Sequence, residues 1–337
     1  MIQRISFRPR EIRRALQPTT RPRRGSEDCE NRPIADLLDK RLAFVMGKGG
    51  VGKTTVAYAL ARVAAARGKR VVVCEIAAQE RGTALFGRSP AGYSETRLSK
   101  RLWSISIDPE RTVREYLELE LPIRAMREVL LRSRIFNYLT AATPGLREML
   151  TVGKVCELAL ERRKARDARN YDLVIVDAPA TGHGVALLRT PTNFRELAGG
   201  GPLAGQAGKV EATLLDHDVT GIAIVATGEE MAVNESIALQ QALGNDFAID
   251  RVLANGLYPE RFTEAERELL ERALAESTDP AGELLEGALA EARRARAQRE
   301  QIARLRDLAG AAVTELPFLF SSEIGIDELD ELAEKLA

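Results

Sequence analysis

The sequence predicts an α/β fold, a mostly parallel sheet with helices on both faces. Three observations carry this. Near-continuous apolar, β-branched runs recur along the chain, each short enough to be a strand. Stretches with helical periodicity separate them, the alternation expected of parallel strands joined by crossover helices. Between the first run and its helix lies a glycine-rich turn, Gly47-Lys48-Gly49-Gly50-Val51-Gly52-Lys53-Thr54-Thr55.

The elements follow in order. Residues 1–33 stand apart as a basic, disordered N-terminal extension, and residues 34–337 form the folded domain. Met1 to Gly25 carries eight arginines against one acid, with Pro9, Pro18 and Pro22. Such a start reads as a disordered tail, an upstream start codon, a transit peptide or a patch for an anionic surface. Leu42–Met46 is the first strand. Thr54 to Arg67 puts Val56, Leu60, Val63 and Ala64 on one helical face. Further strands are Arg70–Ile76, Leu102–Ile107, Asp172–Asp177, Thr220–Ala226, Ile249–Asn255 and Ala312–Leu316. Residues 111–168 are helical in pattern, broken at Pro122 and Pro144-Gly145. They are inserted before the strand that ends at Asp177, and with about 185–215 they form a helical subdomain. Gly199-Gly200-Gly201-Pro202, with Gly205 and Gly208, reads as a flexible loop. From Leu285 to Leu308 an apolar stripe (Leu285, Ala288, Ala292, Ala295, Ile302, Leu305) runs beside six arginines. That is a solvated helix packed on the sheet, or a face for a partner or an anionic surface.

Composition narrows the class. Lys plus Arg and Asp plus Glu number 49 each, so no charge excess points to nucleic acid. No run of 18 apolar residues offers a membrane span. Cys29, Cys74 and Cys156 are odd in number and lack CxxC spacing. They read as reduced thiols of a cytoplasmic protein, not as a disulfide frame or a zinc site.

The glycine-rich turn fits G-x-x-x-x-G-K-[ST], the phosphate-binding loop (P-loop), in the strand-to-helix context it needs. Its glycines, Gly47, Gly49, Gly50 and Gly52, let backbone N–H groups of Gly47 to Thr55 turn inward around phosphate. The helix N-terminus adds partial positive charge. Lys53 supplies full charge to the β/γ-phosphates, and the Thr54 hydroxyl suits Mg²⁺. The expected cofactors are ATP or ADP and Mg²⁺, in a P-loop NTPase fold. Asp177 ends an apolar strand and opens the turn Asp177-Ala178-Pro179-Ala180-Thr181-Gly182-His183-Gly184, which suits a second carboxylate near the metal.

Lys48, straight after the first glycine, makes this the deviant form of the loop. Here the chain resembles the arsenical-pump-driving and tail-anchored-protein-targeting ATPases, and most of all the paired arsenical-pump-like ATPases of actinobacteria. The resemblance implies a dimer that closes on ATP, with Lys48 reaching the partner's nucleotide. The 177–184 segment resembles the family's switch II, which carries Mg²⁺, usually through water, over to Asp177 and leaves His183 as a switch residue or a plain loop side chain. Val252-Leu253-Ala254-Asn255-Gly256-Leu257-Tyr258-Pro259 resembles the segment whose asparagine reads adenine, and Leu316-Pro317-Phe318 the loop that packs on the base. Asn255, Pro317 and Phe318 are thereby base-site candidates. The likeness runs with gaps from Leu42 to Leu336 and includes the Pro144-Gly145-Leu146 helix start.

Three departures bear on function. The family's switch I Asp, which orients the attacking water, matches Ile76 in Glu75-Ile76-Ala77-Ala78-Gln79-Glu80. Isoleucine cannot orient water, and alternation turns Glu75 to the opposite face. The paired cysteines of zinc, arsenite or iron–sulfur relatives are missing. The chain has only 5 methionines, too few for an adaptable groove around transmembrane helices. The reading is therefore a dimeric ATP·Mg²⁺ switch, paired with itself or a paralogous subunit, whose own hydrolysis is weakened. The alternatives are a non-hydrolysing regulatory subunit of a heterodimer, a tail-anchored-protein-targeting ATPase, and a small-molecule kinase. The client protein, membrane-associated or not, stays open.

Overall fold

A computed structural model of the chain describes residues 35–76, 80–120, 145–161, 163, 169–276 and 281–337. The 1–33 extension, Ala77-Ala78-Gln79, Pro122 and Pro144 lie outside them. Eight strands are found among the described residues. They are β1 (Leu42–Met46), β2 (Val71–Glu75), β3 (Thr96–Arg97), β4 (Leu102–Ser106), β5 (Leu173–Asp177), β6 (Thr220–Thr227), β7 (Ile249–Leu257) and β8 (Val313–Pro317). They form one sheet in the order β3-β4-β2-β5-β1-β6-β7-β8. Every pair is parallel except β3 with β4. The seven expected strands all appear, within one or two residues at each end. The two-residue β3 was not expected, since Thr96-Arg97 is too short to show a period.

The sheet is covered on both faces because the central strands carry apolar side chains on both, with polar residues confined to their ends. Leu42, Phe44 and Met46 of β1 point to one layer, Ala43 and Val45 to the other. On the Ala43 face lie α1 (Ala35–Leu38), α2 (Lys53–Ala66) and α10 (Ile326–Leu336). The Leu42 face is covered by residues of α4 (Leu146–Leu158), α5 (Thr181–Ala198), α6 (Gly201–Leu215), α7 (Glu230–Leu243) and α9 (Ala281–Leu308). Two more helices, α3 (Pro109–Glu120) and α8 (Glu264–Glu276), pack on α4 and α9 respectively.

Two expectations are corrected. The glycine-rich loop is confined to Gly199 and Gly200, because α6 begins at Gly201 and takes in Gly205 and Gly208. Those two glycines belong to a helix that packs closely on α5. The turn after Asp177 is also shorter than read, because Thr181 to Gly184 form the first turn of α5. On α9, the buried stripe includes Leu289 and Gln298 as well as Ala292, Ala295, Ile302 and Leu305, while Leu285 and Ala288 are half-buried.

Alternation in β2 has the expected consequence. Ile76 packs against the layer containing Cys74, whereas Glu75 turns toward α2. There the fully buried Tyr58 donates to Glu75 Oε1 at 2.8 Å, with Ser104 Oγ 2.6 Å from the same hydroxyl. Gly82 completes the contact, since a Cβ there would lie 1.9 Å from the Tyr58 ring. Replacing Tyr58 by Phe strips a buried carboxylate of a donor while keeping the ring. It should lower unfolding free energy by about 1–3 kcal/mol, read as a reduced denaturant midpoint at unchanged slope.

Candidate functional site

Parallel pairing puts the C-terminal ends of β1, β5, β6 and β7 at one edge of the sheet, where ligands of such sheets bind. Gly47 to Thr55 leaves β1 there. The loop has positive φ at Gly47 (145°), Gly50 (86°) and Gly52 (89°), and Gly52 caps α2 in the left-handed region. A Cβ on Gly47 would lie 2.2 Å from the Val225 carbonyl oxygen. Gly49 and Gly50 face open space instead and are exposed. That leaves room for a bulky anion against the backbone.

Lys53 and Thr54 sit in the first turn of α2. The Lys53 ammonium donates to the Lys48 carbonyl at 3.0 Å, folding over the loop. Burial lowers its pKa, with the Asp177 charge opposing. Thr54 Oγ1 donates to Asp177 Oδ2 at 2.5 Å. The other carboxylate oxygen of Asp177, Oδ1, is buried without a hydrogen-bond partner. A hydroxyl and a carboxylate side by side, with a carboxylate oxygen left over, are a hard oxygen donor set. These residues fit Mg²⁺, which Thr54 would ligate directly and Asp177 directly or through water. Burial pushes the Asp177 carboxyl up to about 6. Glu75 reinforces the shift, while the Thr54 hydrogen bond, Lys53 and Arg81 oppose it.

The next residues along the edge are organised by carboxylates. Glu75 Oε2 accepts the Arg81 N–H at 2.8 Å, and Glu75 Oε1 the Gly82 N–H at 3.0 Å. Glu80 accepts the Thr83 hydroxyl (3.0 Å) and the N–H groups of Ala91 (2.6 Å) and Gly92 (2.8 Å). Ile76 donates its N–H to the Asp177 carbonyl at 3.2 Å. Arg81 has an exposed side chain whose charge reaches Asp177. Nothing in the local sequence marked it, because a lone arginine after a strand has no signature. His183 lies exposed in the first turn of α5.

Beyond the loop a cleft of about 800 Å³ opens. It is lined by Gly50 to Gly52, Asn255, Tyr258, Arg294, Pro317 and Phe318, among others. The structure thus brings the three base-site candidates beside the P-loop. Asn255 Nδ2 donates to the Val51 carbonyl at 2.9 Å, so its amide also braces the loop. Phe318 lies parallel to Tyr258, with centroids 4.4 Å apart, and Phe320 meets both edge-on. Arg294 Nη1 donates to the Tyr258 hydroxyl at 2.8 Å. Tyr258 stood inside the quoted segment without being singled out as a site residue, and Arg294 comes from a distant helix. Lys48 forms an ion pair with Glu235 of α7 at 3.1 Å, both partly exposed.

A glycine loop between a buried central strand and a helix, with a threonine and a strand-end aspartate converging beside it, defines an α/β P-loop NTPase fold. Comparison with known proteins makes the class specific. The profile of the family described as "Anion-transporting ATPase" matches residues 40–199. "ATPase BagA" of Mycobacterium tuberculosis is 31% identical over 229 residues, which cover 66% of this chain and 67% of that protein. "Putative arsenical pump-driving ATPase 2" of Aquifex aeolicus is 30% identical over 155 residues, 46% of this chain and 50% of that one. "ATPase GET3" of Eremothecium gossypii is 23% identical over 271 residues, 70% and 76% of the two. The chain belongs to the anion-transporting ATPase family, in the branch of the arsenical pump-driving ATPases and their actinobacterial relatives. Membership implies nucleotide binding. Among the described residues, no helix is long and apolar enough to cross a membrane.

The elevated Asp177 pKa has a stability consequence. The folded carboxyl titrates near 6 against about 3.9 when unfolded, so the native state binds the proton more tightly. Without nucleotide, its contribution is fully present below about pH 4 and is lost as pH rises through about 6, by roughly 3 kcal/mol. Asp177→Asn should therefore raise stability of the ligand-free protein at pH 8 by roughly 1–3 kcal/mol and flatten its dependence between about pH 4 and 6. Denaturant titrations across that range check it.

Proposed function

We propose that this chain is an ATP- and Mg²⁺-binding switch that works as a dimer and hydrolyses ATP slowly when alone. The Gly47–Thr55 amides and Lys53 hold the phosphates, Thr54 and Asp177 serve the metal, and Asn255 with Pro317 and Phe318 receives adenine. Bound Mg²⁺ would neutralise charge developing on the transferred phosphoryl group. The chain's own residues bind and orient the triphosphate.

One observation favours slow turnover. The Thr54–Asp177 pair stands ready, yet Glu75 at the end of β2 and Glu80 after it are both committed to backbone and hydroxyl partners. Glu75 holds Arg81 and Gly82, and Glu80 holds Ala91 and Gly92. Ile76, at the position matched to the water-orienting Asp, packs against the core. A side chain so placed neither takes a proton nor fixes water. The same observation supports a regulatory role beside a paralogous subunit, in which this chain binds ATP and lends Lys48 across the interface. Lys48 would then have to leave Glu235, an exposed ion pair of the kind worth at most about 1 kcal/mol.

The deciding measurement is ATP turnover by the purified chain, alone and mixed with an adjacent paralogue. Slow turnover alone and faster turnover in the mixture is expected; brisk hydrolysis by the pure chain would overturn the reading. In the mixture, Lys48→Ala should depress the partner's rate, because a lysine there stabilises charge on the phosphates in the transition state. Separately, Lys53→Ala should abolish ATP binding in calorimetry while the circular dichroism spectrum and melting temperature stay put. Unchanged affinity in that variant defeats the assignment of the loop.

A further inference from the structure

Gln298 lies on the sheet-facing side of α9 and is only 8% exposed. Both ends of its amide are used. Oε1 accepts the Tyr258 N–H at 2.8 Å, and Nε2 donates to the Gly256 carbonyl at 3.0 Å. One side chain thus pairs with backbone groups two residues apart, as a neighbouring strand would. β6 ends at Thr227, opposite Asn255, so the amide takes over as strand pairing on that side stops. The approach is close. A Cβ on Gly228 would lie 2.8 Å from Gln298 Cβ, so the residue after β6 has to be small.

The segment it grips builds two walls of the cleft. Asn255, just before Gly256, donates to the P-loop carbonyl of Val51 at 2.9 Å. Tyr258 carries the ring that lies parallel to Phe318, 4.4 Å between centroids. Fixing Gly256 and Tyr258 fixes where the Asn255 amide and the aromatic pair stand relative to each other. An amide reads a purine by donating to one edge atom and accepting from another, so a small displacement spoils the match. Phosphate contacts made by the loop amides carry no such information about the base.

We propose that Gln298 is a positioning residue for base selection: by clamping Gly256 and Tyr258 it sets the geometry with which the cleft distinguishes adenine from guanine. This rests on the nucleotide reading above. It assigns to α9, which contributes nothing to the phosphate loop, a share in choosing the ligand.

The test compares wild type, Gln298→Met and Gln298→Glu in calorimetric titrations with Mg·ATP and Mg·GTP, alongside melting temperatures. Met keeps the length and loses both hydrogen bonds. Glu keeps the acceptor for Tyr258 and loses the donor to Gly256. Loss of two buried hydrogen bonds predicts an ATP affinity lower by about tenfold in Gln298→Met. GTP affinity should stay within about twofold, so that the preference for ATP shrinks in proportion. Gln298→Glu should fall between, by about threefold, and carries the test if Gln298→Met does not fold. Wild-type selectivity in both variants overturns the proposal. So does an equal loss of ATP and GTP, which would mark Gln298 as structural support only. A wild-type protein that binds neither nucleotide defeats the underlying nucleotide reading instead, and is recognised before any variant is made.

Discussion

The molecule depends on the parallel pairing of β1 with β5 on one side and β6 on the other. Register brings Val45 opposite Asp177 and Met46 opposite Ile224, so β1 and β5 finish within one residue of each other at one edge while β6 runs on to Thr227. Gly47 cannot carry a side chain because the Val225 carbonyl stands where a Cβ would be. The P-loop is thus wedged against β6 as it leaves β1, and Thr54 meets Asp177 across the adjoining strand end. A one-residue slip would turn Asp177 to the other face and separate the pair. Burial of both faces by apolar side chains is what resists such a slip.

Burial also tunes the site. Removing Asp177 from water favours its protonated form, and an oxygen without a hydrogen-bond partner leaves the native state with an unmet demand. Such a group destabilises the ligand-free fold and gains most from a cation. Glu75, one strand over, is also raised by burial but spends its oxygens on Tyr58, Arg81 and Gly82. Two carboxylates at neighbouring strand ends therefore have different duties. One keeps an oxygen without a hydrogen-bond partner, and the other anchors the chain that follows β2.

Around the cleft the division is between local and distant parts. Gly50 to Gly52 arrive directly from β1, while Asn255 and Tyr258 come from β7 and Phe318 follows β8. Arg294 and Gln298 of α9 tie that second group together through Tyr258 and Gly256. Through Asn255, which donates to the Val51 carbonyl, the same segment also meets the phosphate loop.

Much was legible in the residue order alone. Seven strands, α2, the phosphate loop and the strand-end position of Asp177 follow from period and from chemistry within a few residues, because strand alternation, helix period and loop glycines are local properties. The opposed directions of Glu75 and Ile76 were legible for the same reason. The sequence did not show that Gly205 and Gly208 sit in a helix, because burial of Ala204, Ala207, Val210 and Leu214 of the same helix overrides their low propensity. Nor did it show β3, the grip of Glu80 on Ala91 and Gly92, the ion pair of Lys48 with Glu235, or the amide of Gln298 on Gly256 and Tyr258. Each of these joins residues by a contact that no local period encodes. The sequence by itself determined which chemistry the chain carries, since residue types set charge, hydroxyls and backbone freedom. Only the tertiary structure decided which of those groups are free to act, because burial and hydrogen-bond partners are settled by what packs against them.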